Sequence, residues 1–118
     1  MKIDELKTIS ADHVLAYVNS IHKNFNIPET ILDHPYWRKT RVPLNKLHIP
    51  NEEGEDLEDP YNRVQWIDYD QVKDIDRHYI ESHPIVVDTN GHIIDGNHRA
   101  IAAKSGGMFD IPAYIPVK

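Results

Sequence analysis

The stretch Ile93-Ile94-Asp95-Gly96-Asn97-His98-Arg99-Ala100 gathers the residue types from which anion sites are built. An apolar strand that turns through a glycine straight into a helix aims the first helical N–H groups at one point. Those groups have no partner inside the helix, and the helix dipole adds positive potential to them. Asn97, His98 and Arg99 fall in the first turn, and a guanidinium can meet two phosphate oxygens at once. Gly96 leaves room for a ligand against the backbone. Asp95, the last residue of the strand, can accept a proton or hold a metal ion. The same residues also have a plainer reading, because Asp or Asn before a helix is commonly an N-cap and an arginine in a first turn is commonly solvated. No G-x-x-x-x-G-K-[ST] pattern accompanies the turn.

The other constellations carry less chemistry. The chain has eight histidines, but His92 and His98 have no standard metal-ligand spacing. An HNH-type nuclease reading of Asn97-His98 with His92 upstream lacks that motif's separated elements. His34-Pro35 and His83-Pro84 are chain breakers first, although His83 opens the strand before the turn and can reach it. Tyr36, Trp37, Trp66 and Tyr69 read as core or rim aromatics, with Trp66 the best placed to stack a nucleobase. Glu52, Glu53, Glu55, Asp56, Glu58 and Asp59 cluster between Pro50 and Asn62 and read as a solvated loop.

The elements that must position the turn follow from periodicity. Val14, Leu15, Val18 and Ile21 make one stripe of a helix from Ser10 to about Asn24, with Ser10 as cap and Ile9 as staple. A helical turn is expected at Pro28 to Asp33, and an extended strand or edge over Arg41 to Ile49. A helix capped by Asp68 runs to about Glu81. Ile85 to Asp88 and His92 to Ile94 then form a hairpin around Asn90-Gly91. The helix Asn97 to Ser105 stops at Gly106-Gly107. The strand Ile111 to Val117 carries Pro112 and Pro116 and so reads as an edge.

At 118 residues the chain is long enough for one domain with a modest core. Its net charge of −6 disfavours a general nucleic-acid surface. The absence of cysteine excludes disulfides, thiolate catalysis and cysteine-ligated metals, and suits a reducing compartment. MKIDELKTIS lacks the apolar core of a signal peptide, and no apolar run approaches bilayer length. A cytoplasmic protein is expected.

From Val42 to Pro116 the chain resembles the ParB/sulfiredoxin superfamily, also called the ParB-like nuclease domain. The resemblance rests on Val42-Pro43-Leu44-Asn45-Lys46-Leu47, on Pro84-Ile85-Val86-Val87-Asp88, on the turn Ile94 to Ala103 and on Ile111-Pro112-Ala113-Tyr114-Ile115. It implies a small α/β domain over 42–118, with a mixed sheet and packed helices, preceded by an N-terminal helical extension over 1–41. It also implies nucleotide phosphates at the Gly-x-x-Arg turn. Sulfiredoxin chemistry is excluded, since Asn97 stands where those proteins have cysteine. ParB proteins of chromosome partition carry Gly-Glu-Arg-Arg here and further regions downstream. Locally the turn is most similar to the free serine kinase branch, whose turn reads Asp-Gly-His-His-Arg and whose Pro-x-Glu is matched by Pro50-Asn51-Glu52. That likeness implies Glu52 and Asp95 as catalytic carboxylates, with Asp95 as base for the accepting hydroxyl. The expected catalytic set is Asp95, Glu52 and His98, with Asp95 and Glu52 also as metal ligands.

Phosphoryl transfer needs phosphate anchors, a metal ion and a carboxylate that orients the attacking oxygen. The expected function is therefore binding of ATP or ADP at Gly96, Asn97, His98 and Arg99 with Mg²⁺, coupled to phosphoryl transfer to a small hydroxyl acceptor or to nucleotide hydrolysis. A metal-dependent DNA nuclease would use the same parts. A non-catalytic acidic module that binds or inhibits a protein partner is the reading of a different class.

Overall fold

The computed structural model describes residues 8–21, 31–49 and 69–117, with side chains from residue 72 in the last stretch. The elements are β1 (Ile9–Ser10), α1 (Ala11–Ile21), β2 (Tyr36–Pro43), a 3₁₀ turn (Leu44–Lys46), α2 (Tyr69–Asp74), α3 (Arg77–Ser82), β3 (Ile85–Val87), β4 (Ile93–Asp95), α4 (Asn97–Ser105) and β5 (Asp110–Pro116). The strands form one mixed sheet in the order β1-β2-β5-β3-β4. Among the described strands the β3–β5 pair is parallel and the others are antiparallel. The protein is an α/β domain with helices on both faces of this sheet.

Alternation along the short central strands separates the two cores. Ile85, Val87, Ile93, Ile111 and Ala113 face Ile80 of α3 and Ala100 and Ala103 of α4. Val86, Ile94 and Trp37 face Val14 and Val18 of α1. Small side chains on α4 let it lie close to the strands, as the alanine pattern predicts. Ser10 caps α1, its Oγ accepting from the His13 N–H at 3.2 Å, and Ile9 packs into the same cluster as Val14. The boundary expected between positions 41 and 42 falls inside β2.

Several elements differ from the sequence reading. The extended segment begins at Tyr36 and ends at Pro43, after which Leu44 N–H donates to Phe109 O and the chain coils into a 3₁₀ turn. Instead of one helix running to Glu81 there are two, because the Asp76 carboxylate accepts from Tyr79 N–H at 2.8 Å and starts α3 afresh. β5 is an interior strand. Val117 N–H donates to Tyr36 O, so the odd-numbered N–H groups of β5 face β2. Pro112 and Pro116 thus lack a donor only on the β3 side, where the ladder involves Ala113 and Tyr114. The Pro28 turn up to Thr30, the acidic segment with Glu52 and Glu53, Trp66 and Asp68, and the side chain of Tyr69, lie outside the described residues.

Candidate functional site at the start of α4

The hairpin around Asn90-Gly91 forms as its sequence demands. Asp88 Oδ1 accepts from the N–H groups of Asn90 and His92 at 2.8 and 2.9 Å, and Gly91 takes φ 84°. The return strand delivers Asp95 to Gly96, which sits at φ 111° in the left-handed region and opens α4 without a side-chain cap. A side chain at Gly96 would collide with that of Ile85 and come within 3.1 Å of an Arg99 guanidinium nitrogen. The glycine is thus required by its own neighbours as well as by its backbone angle.

Arg99 does not lie on the surface. It is 4% exposed, as is Asp95, and the two side chains meet at 2.9 Å between Nη2 and Oδ2. Its Nη1 donates to three oxygens: the carbonyls of His83 (2.6 Å) and Pro84 (2.8 Å) and the Tyr17 hydroxyl (3.2 Å). Tyr17 in turn donates to the Pro84 carbonyl at 2.6 Å. One guanidinium therefore ties α1, the segment before β3, the end of β4 and the start of α4 together. Burial pushes the Tyr17 hydroxyl up to about 12, with the Arg99 charge opposing it.

The expectation of a free cation at Arg99 is corrected by this geometry. Its donors are engaged inside the protein, so it shapes the turn from behind instead of reaching toward solvent. Asp95 is held in the same way. Asn97 and His98 are half-buried at the helix start. His83 reaches the turn through its backbone carbonyl. Its ring stacks on Tyr79, with centroids 4.0 Å apart. His92 stacks on His48 at 4.1 Å, away from His98's helix. Glu52 lies outside the described residues.

A hard divalent cation needs several oxygen ligands. Among the described residues no group of three His, Cys, Asp or Glu side chains comes together, and the Arg99 guanidinium occupies Oδ2 of Asp95. The described residues do not by themselves make a Mg²⁺ site. Nor is any described helix long and apolar enough to cross a membrane.

Sequence reasoning missed Tyr17, which is 82 positions from Arg99. The available signal was a polar-tipped aromatic three residues after Val14, on the apolar stripe of α1.

No family model and no curated protein matches this sequence. Among solved structures the chain is similar to a Pnob8-like ParB-N domain, with a TM-score of 0.45 and 20% sequence identity, over 67% of this chain and 29% of that one. The chain thus spans less than a third of the length of that relative.

Proposed function

We propose that this is a ParB-like domain that binds the phosphates of an ATP- or ADP-type nucleotide at the start of α4. The observation that carries the reading is the junction itself: β4 enters a left-handed glycine and leaves as a nine-residue helix. Backbone N–H groups at such a junction, with the dipole behind them, favour an anion. Asn97 and His98 stand half-buried at the same end. Asp95 and Arg99 are positioning residues: their buried pair and the bonds to the 83–84 carbonyls hold the junction in one shape before ligand arrives.

A binding role follows more directly from this arrangement than catalysis does. As base for an acceptor hydroxyl, Asp95 would act with its Oδ2 held by Arg99. For phosphoryl transfer, hydrolysis or phosphodiester cleavage, Glu52 is the second carboxylate that the resemblance implies. The divalent ion would arrive with the nucleotide phosphates.

Calorimetric titration with ATP, ADP, CTP and a short DNA duplex, each with and without Mg²⁺, tests the reading. A saturable heat with ATP or ADP is expected, weakened about tenfold or more by His98→Ala if the imidazole contributes a charge-assisted bond of about 1.5–3 kcal/mol. No heat with any nucleotide, or heat with DNA alone, contradicts it. Glu52→Gln should stop turnover and leave binding intact; retained turnover in that variant removes Glu52 from the mechanism.

A further inference from the structure

An open cleft of about 700 Å³ lies beside β2, with Val42, Val87 and Ile115 among its apolar lining and Arg38 and Lys46 among its charged lining. We propose that this cleft binds a small organic acid: an apolar body that carries one carboxylate or phosphate group. Its volume lies within the roughly 300–1,000 Å³ typical of small-molecule sites. It is separate from the α4 junction. The cleft is lined by Val87 at the end of β3 and by the residues after it up to Gly91, and by none from α4, whereas Gly96 packs on Ile85 at the opposite end of β3.

Two features make this cleft a formed site. First, its walls are fixed to each other. Asp88 Oδ1 braces the 88–92 turn, His48 N–H donates to Gly91 O, and a side chain at Gly91 would strike the Lys46 carbonyl. The shape therefore exists before any ligand enters, which lowers the ordering cost of binding. Second, its charge is selective. Arg41 also lines the cleft, but its guanidinium is taken by Glu81 and Asp110, at 2.6 and 2.7 Å. Arg38 and Lys46 are exposed and make no ion pair among the described residues. Asp88 also lines the cleft, with its Oδ1 taken by the N–H groups of Asn90 and His92. In a chain of net charge −6 the two cations beside the apolar lining leave an anion with an apolar body as the complementary ligand. The inference does not depend on nucleotide binding at α4.

The test is an amide-resolved NMR titration of the full chain with 4-phenylbutyrate, with its phosphate counterpart 4-phenylbutyl phosphate, and with neutral 4-phenylbutanol. Saturable shifts at Val87, Asn90, Gly91 and Val117 are expected for the acids, with the alcohol at least tenfold weaker. The tighter of the two acids identifies the head group. The double variant Arg38→Glu, Lys46→Glu, both surface changes, should raise Kd at least tenfold and leave the spectrum of the folded protein otherwise intact. Equal binding of the alcohol overturns the proposal, as does an unchanged Kd in the double variant. Absence of saturable shifts at the cleft up to the order of 10 mM, where binding falls below about 3 kcal/mol, also overturns it.

Discussion

Arg99 sits four positions after Asp95, a spacing that looks like a local helix pair, yet most of its bonds go to residues 15 or more positions away. A buried pair of this kind is costly to break from one side, because the remaining charge is left in a medium that cannot solvate it. Arg99→Ala should therefore destabilise the domain by about 3–5 kcal/mol, and adding Asp95→Asn should recover part of that loss. Denaturant unfolding of the two variants checks this; a loss below about 1 kcal/mol in Arg99→Ala would mean that the pair is solvated. Tyr17 gives a pH test. Its folded value, near 12, lies above the ordinary 10.0 because burial disfavours the phenolate. The unfolded chain then releases this proton first, so stability is intact below pH 10 and falls as pH rises from 10 toward 12. Tyr114 is raised by burial too, so Tyr17→Phe should flatten the alkaline loss of melting temperature without abolishing it. An unchanged alkaline slope in that variant would contradict the burial of Tyr17.

The elements that position the site differ in how far local pattern revealed them. α4 was legible to the residue because glycine starts it, small side chains fill it and Gly106-Gly107 stop it, all local signals. Gly107 takes φ 74°, and Gly106 N–H closes on Ala102 O. The hairpin was legible for the same reason. The break between α2 and α3 was not, since Asp76 reads equally well as an exposed helical residue until its carboxylate finds the Tyr79 N–H. β5 was misplaced at an edge because proline count alone does not tell on which side of a strand the missing donors fall. The inward orientation of Arg99 was illegible as well, because its acceptors are backbone carbonyls that carry no residue-type signal. Packing on α4 leaves little slack: Ala103 is fully buried against β3 and β5, so Ala103→Leu should overpack the layer by about 1–3 kcal/mol, measurable by thermal unfolding. Gly96→Ala should cost a further 1–3 kcal/mol or so from its backbone angle alone, before the collision with Ile85 is counted. A neutral effect of either change would place α4 farther from the sheet than described here.

At the scale of the whole molecule, residues 9–21 belong to the same body as the sheet. β1 adds a strand beside β2, and Val14 and Val18 are fully buried against Val86 and Ile94. The site depends on this layer, since Tyr17 of α1 reaches both Arg99 and Pro84. Val14→Ala, which removes two buried methyl groups, should lower stability by about 2 kcal/mol and keep a single unfolding transition seen alike by far-UV dichroism and Trp fluorescence. Two transitions would mean that α1 folds apart from the sheet. An amide-resolved NMR titration with ADP tests the proposed binding of phosphate at the start of α4. Saturable shifts at Gly96, Asn97 and His98 are expected, at about tenfold or more higher ADP in His98→Ala and unchanged in Arg38→Glu. Shifts confined to other parts of the molecule, or none at saturating ADP, would contradict it.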